Sequence, residues 1–247
     1  MQTPYFFGLI AACFFGMSKT GVPGIAMPGV LLMAHAFPGA EKLSTGAVVP
    51  LLVAADSFAV WYYGKDADWK RIYRLLPSIY VGLLAGTAAL WAMNDSQFKI
   101  VLAVMVLTLI AFEETRKLLR WNAVPHSPFF VQPVGFFCGF TTLVGNAAGP
   151  VMSVYMSAQN LKKSDFMGTW AVFFFIINVS KFPLIGGCVP GLQMITKETL
   201  LFDLSVLPGV LVGVVIGRKI YKLIPEKYFV PSVVILNLLV PLQMLFF

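Results

Sequence analysis

Apolar residues in this chain fall into ten runs, separated by short polar or Gly/Pro-rich breaks. They occupy residues 3–17, 25–37, 43–63, 72–93 and 97–114, then 128–140, 147–158, 166–186, 199–223 and 228–247. A helix needs ~20 apolar residues to cross ~30 Å of hydrocarbon, so the last three runs of each half can span a bilayer. The first two runs of each half are shorter. At ~1.5 Å per residue, about 13–15 residues reach only ~20–22 Å. Between those short runs lie Thr20-Gly21-Val22-Pro23-Gly24 in the first half and Val144-Gly145-Asn146 in the second. Short, Gly/Pro-interrupted segments at matching positions of two halves point to discontinuous helices. Each pair therefore reads as a re-entrant helix hairpin whose tip stops inside the membrane, with two short tilted crossings as the other arrangement.

The two halves repeat. Gly46 aligns with Gly168; ten residues on, Asp56 meets Asn178, and eight further, Gly64 meets Gly186. Leu76-Pro77 aligns with Leu207-Pro208, and the same offset pairs Gly82 with Gly213, Gly86 with Gly217 and Phe98 with Phe229. The starts also match, GMSKTGVPGIAMP from Gly16 against GFTTLVGNAAGP from Gly139. Four such correspondences kept in order indicate duplication. The fold expected is an all-α polytopic membrane protein of two inverted-topology repeats, each a hairpin plus three transmembrane helices. Residues 1–120 form the first repeat and 128–247 the second, joined by a linker at 115–127 in a single membrane domain.

Inversion follows from the charges. Three or five crossings per repeat, both odd, turn the second copy upside down. Thirteen basic residues then fall on one side, in the groups 65–74, 116–120, 162–163 and 218–227. Only Lys42, Lys99 and Lys197 fall on the other, with Lys19 and Lys181 inside the runs. The positive-inside rule makes the first side cytoplasmic and places both termini outside the cytoplasm. Met1-Gln2-Thr3-Pro4 has no basic n-region, so the start reads as a mature N-terminus rather than a signal peptide.

Composition narrows the function classes. The chain is 58% hydrophobic and 12% charged, against about 25% charged for a soluble domain. The net charge of +7 belongs to the cytoplasmic loops, and no aromatic-plus-basic patch argues for nucleic acid. Cys13, Cys138 and Cys188 lack metal-ligand spacing and read as small packing residues. No metal or cofactor is expected; the partners expected are a small anionic substrate and the lipid bilayer of the inner (plasma) membrane.

Polar residues inside the runs are few and mark function. The first tip holds Ser18, Lys19, Thr20 and Gly21; the second holds Thr141, Thr142, Gly145 and Asn146. The third runs carry Asp56 with Ser57, and Asn178 with Ser180 and Lys181. In each hairpin the second half-helix starts at the tip, so its free N–H groups and positive dipole end face the centre. Hydroxyls of Ser18, Thr20, Thr141 and Thr142 can donate to oxyanion oxygens, and Lys19 and Lys181 add charge. Asp56 reads as the only carboxylate deep in a spanning run, serving either as a coupling-proton carrier or as the partner of Lys19 or Lys181. His35 and His126 read as structural. Gly16-Met17-Ser18 with His35 offers the residue types of an intramembrane hydrolase. The second repeat, however, has Thr141 and no histidine after it, and nucleophilic catalysis needs one nucleophile with an oriented base.

The tip motifs, the Gly46–Asp56 stretch and the Pro77-Gly82-Gly86 helix together resemble the TauE/SafE family of sulfite and sulfonate exporters (toluenesulfonate uptake permease-like transporters), over nearly the whole chain. The resemblance implies a secondary transporter, not an enzyme, that moves small sulfur-containing oxyanions such as sulfite, sulfoacetate or short organosulfonates. Alternating access around a midplane site between the two tips is expected, with an anion channel using the same site as the other reading.

Overall fold

The computed structural model describes residues 3–94, 128–157 and 161–233, together with 96–98, 100, 101, 104, 108, 159 and 236. Among these the regular structure is helical, with one isolated bridge, Gly186 with Gln193. The elements are α1 (Thr3–Thr20), α2 (Ala26–Ala36), α3 (Glu41–Tyr63) with a 3₁₀ turn at Gly64–Asp66, α4 (Trp69–Ala92), α5 (Pro128–Gly145), α6 (Ala148–Ser157), α7 (Lys163–Ile185) and α8 (Lys197–Leu223). Most of the expected runs at 97–114 and 228–247, residue 158, and the linker at 115–127 with His126 lie outside the described residues; 226–233 is helical.

Among the described residues four stretches are long and apolar enough to cross a membrane: Lys42–Asp66, Trp69–Ala92, Lys163–Ile185 and Lys197–Leu223. Local chemistry sets their ends. Asp68 caps α4 by accepting from the Arg71 N–H at 3.1 Å. Thr196 and Thr199 form a capping box at the start of α8, each side chain accepting from the other's backbone N–H, which satisfies two orphan donors. Pro50, Pro77, Pro133, Pro183 and Pro208 all sit inside helices, where each removes one helical hydrogen bond.

The hairpin arms differ in length from the expectation. α1 and α5 each run 18 residues, because the helix continues through the polar residues where the apolar runs stop. The second arms, α2 and α6, have 11 and 10 residues. Each hairpin thus joins a nearly spanning arm of ~27 Å to a half-length arm of ~15–16 Å.

Packing comes in matched sets. α1 lies against α8, and α5 lies against α4, so the first helix of each half rests on the long helix of the other. Glycines make both contacts close. A Cβ at Gly213 would fall on the Cys13 carbonyl, and one at Gly82 on the Phe136 carbonyl. Gly16 meets the α8 backbone at Val210 as Gly139 meets the α4 backbone at Ile79. Such close backbone approach is how membrane helices gain packing energy. The open faces of the two pairs also correspond. An apolar groove beside Pro77 is lined by Val81, Pro133, Phe136 and Phe137, and one beside Pro208 by Val212, Ile10, Cys13 and Phe14. α3 and α7 pack on each other through the centre.

The loop from α7 to α8 is the main departure from this matching. Its Met194 N–H donates to the Ile185 carbonyl at 2.8 Å, Met194 packs onto Gly46 near the start of α3, and Trp91 Nε1 donates to the Pro190 carbonyl at 3.1 Å. Cys188 is exposed in this loop and is not the packing residue expected of it.

Candidate functional site

Each hairpin turns at a short irregular tip. The first occupies residues 21–25, where Gly24 has φ of 112°, a conformation open to glycine. The second turns within Asn146 and Ala147; Asn146 has φ of 53°, a left-handed geometry that asparagine tolerates by bonding locally. Its Nδ2 donates to the Thr45 carbonyl at 3.1 Å, pinning the second tip to the start of α3.

Between the tips and the α3–α7 pair lies a cavity of about 30 Å³, lined by Ser18, Lys19, Thr142, Asn146, Trp170 and Asn178 among others. That volume has room on the order of one or two waters. Gly24, Ala26 and Met27 bring the start of α2 to its wall, and Gly149 brings the start of α6. The first turns of two helices therefore line one space, an arrangement that favours negative charge.

Beside the cavity is a buried polar cluster. Lys19 Nζ lies 2.9 Å from Asp56 Oδ1 and 4.2 Å from the Phe174 ring centroid. Asn178 Nδ2 donates to Asp56 Oδ2 at 2.6 Å, so the two residues that the repeat alignment pairs also touch. Lys181 Nζ donates to Asn146 Oδ1 at 2.8 Å. Asp56, Asn178 and Lys181 are fully buried and Lys19 nearly so. Among the described residues no carboxylate lies within ion-pair distance of Lys181. The cluster brings two lysine side chains and one aspartate together beside the cavity.

The expected site residues divide. Ser18, Lys19, Thr142, Asn146 and Asn178 line the cavity. Lys181 stands behind Asn146 and reaches the cavity only through it. Thr20 Oγ1 lies 3.0 Å from the Gly16 carbonyl and 2.9 Å from the Val214 carbonyl, so its proton is used inside the α1–α8 contact. Gly21 abuts Gly217 in the same contact. Thr141 donates to the Phe137 carbonyl at 2.6 Å, and Gly145 ends α5. Ser57 and Ser180 donate back to their own helices. His35 is exposed, with Nδ1 2.9 Å from the Leu31 carbonyl, whereas Ser18 is buried.

Two residues were not anticipated. Trp170 lines the cavity, and its buried Nε1 has no hydrogen-bond partner among the described residues. In the sequence it is one aromatic inside an apolar run, with nothing to separate it from packing. Asp203 is the other: Asp56 is not the only buried carboxylate, since Asp203 is 4% exposed within α8. It stands only four residues inside its run, so by position it resembles an interfacial acid; the packing of α8 on α1 and α3 covers it. Among the described residues no cluster of three or more His, Cys, Asp or Glu side chains comes together.

Apolar helices of spanning length around a buried ionic cluster define a polytopic membrane protein. The chain belongs to the sulfite exporter TauE/SafE family, whose model matches residues 5–244, and the family is one of membrane transporters. No curated protein and no solved structure is significantly similar to the chain.

Proposed function

We propose that the protein is a secondary transporter of small sulfur-containing oxyanions, sulfite or a short organosulfonate such as sulfoacetate, bound at the cavity between the hairpin tips. One observation carries the reading: Ser18, Lys19, Thr142, Asn178 and the first turns of α2 and α6 line one buried cavity, with a second lysine, Lys181, buried behind Asn146. An anion in that cavity meets donors from both hairpins. The N-terminal ends of α2 and α6, Lys19, the Trp170 indole N–H and the hydroxyls of Ser18 and Thr142 form its donor set.

Two inverted repeats in the inner membrane, residues 1–120 and 128–247, give the site two routes of access. The crossed α1–α8 and α5–α4 contacts, the paired grooves at Pro77 and Pro208 and the Asp56–Asn178 contact support that arrangement.

The test is uptake of radiolabelled sulfite into proteoliposomes, preceded by a thermal-shift screen with sulfite, sulfoacetate, taurine and sulfate. Saturable flux with stabilisation by sulfite or a sulfonate is expected. Absence of any saturable flux, or ion currents far above carrier turnover, would defeat the carrier. A cysteine introduced beside Lys163 should be labelled only from the cytoplasm; labelling from the other side would defeat the inversion.

A further inference from the structure

Asp203 is buried outside the site, and nothing in the anion-binding arrangement uses it. It lies in the second turn of α8, and neither carboxyl oxygen has a hydrogen-bond partner among the described residues. Its neighbours on the buried stripe of α8 are Thr199, Val206 and Val210. Those valines belong to an apolar cluster with Ala11 and Ala12 of α1 and Val48 and Leu51 of α3.

The charged groups on the facing elements are already engaged or distant. On α1 the only described charged one is Lys19, bound to Asp56. The adjacent Thr20 contacts α8 at Val214, eleven residues past Asp203 and so about 16 Å along the helix. Of the other titratable groups of α1, Tyr5 stacks on Phe202 beside Asp203 and Cys13 lies against Gly213. On α3, of the charged side chains that are described, Lys42 donates to the Met93 carbonyl at 2.8 Å and Asp56 pairs with Lys19. His35 of α2 is exposed, as are Lys197 and Glu198 of α8 itself. None forms an ion pair with Asp203. The carboxyl group of Asp203 is thus buried with neither a counter-charge nor a hydrogen-bond donor beside it among the described residues, a placement that is costly for a charged group.

We propose that Asp203 is the proton carrier that couples this transporter, protonated while α8 is packed against α1 and α3 and exchanging its proton with water when they part. One proton is bound and one released per cycle, with no other bond changed. The repeat offset that pairs Pro208 with Pro77 pairs Asp203 with Ile72, a fully buried apolar residue of α4. The carrier therefore exists in one half only, and the proton is loaded with a fixed polarity. This inference rests on the transport reading above.

Wild type and Asp203→Asn, whose amide matches the neutral carboxyl in shape, are reconstituted and radiolabelled sulfite is followed in two modes. A one-unit pH gradient coupled to one proton supports about tenfold accumulation. Wild type should reach it, while Asp203→Asn should only equilibrate sulfite yet continue sulfite–sulfite exchange. Gradient-driven accumulation by the variant, or a wild type indifferent to the gradient, overturns the proposal. No sulfite flux by wild type in either mode overturns the transport reading as well, so the two failures are distinguishable. Infrared spectroscopy of the wild type supplies a further readout. The protonated-carboxyl stretch should be lost in Asp203→Asn and shifted in Asp203→Glu, which serves alone if the amide variant does not fold. A band unchanged by either substitution also overturns the proposal.

Discussion

The two hairpins share a plan and differ in charge. Each has an 18-residue first arm, a half-length second arm and a tip at the same cavity. The first carries its cation on the hairpin itself, Lys19, and balances it with Asp56 of α3. The second presents Thr142 at the aligned position and holds a cation at one remove, Lys181 behind Asn146. The scaffold supplies two nearly equivalent helix N-termini, and the side chains make them unequal. The charged tip is paired from inside the protein by Asp56; the neutral tip has a lysine behind it that is held by Asn146 and forms no ion pair among the described residues.

The largest effect that separates them is on stability. Asp56→Ala leaves Lys19 buried without its partner and should destabilise by about 3–5 kcal/mol, read by thermal unfolding in detergent. Substituting both Lys19→Met and Asp56→Leu should restore most of that loss. Next comes affinity. Lys19→Met removes a charge-assisted contact worth about 1.5–3 kcal/mol but also breaks the buried pair, so affinity is read in the Lys19→Met/Asp56→Leu double variant, where sulfite binding by calorimetry should weaken at least tenfold. Unchanged affinity would remove Lys19 from the site. Gly82→Ala and Gly213→Ala should each destabilise by about 1–3 kcal/mol, and by similar amounts; tolerance of one alone would break the correspondence of the two crossed pairs. Asn146→Ala loses a residue suited to the left-handed turn, worth about 1–2 kcal/mol, and frees Lys181. Trp170→Phe keeps an aromatic ring and deletes one donor, so it should lower sulfite affinity by about 1 kcal/mol without changing the melting temperature.

Much of this was legible in the sequence, for a reason. Glycines and prolines are where two membrane helices touch or bend, so their spacing records contacts: Gly82 with Gly213 and Pro77 with Pro208 aligned because both pairs do the same mechanical job. The polar inventory also led to the cavity, since Lys19, Thr142, Asn146 and Asn178 are costly in hydrocarbon. Thr20 and Thr141 drew the same inference and do not line it. A helical hydroxyl can spend its proton on the carbonyl one turn back, and one-letter patterns do not show which hydroxyls do. Trp170 and Asp203 were missed for opposite reasons. The tryptophan is polar only at one atom of an apolar ring. The aspartate stands near the end of its run, where an acid is ordinarily wet, and only the packing of α8 on α1 and α3 buries it. The helix ends were misplaced at the tips because α1 and α5 carry their hydrogen bonding on into polar residues.

The crossed packing also sets a timetable for biogenesis. α1 emerges from the ribosome well before the helix it rests on, α8, which is completed about 200 residues later. At ~5–20 residues per second, α1 waits about 10–40 s in the bilayer before its glycine face is covered. During that interval the nascent first half holds Lys19 and Asp56, whose mutual pairing lets the early segment stay inserted while its long-range partner is still being made.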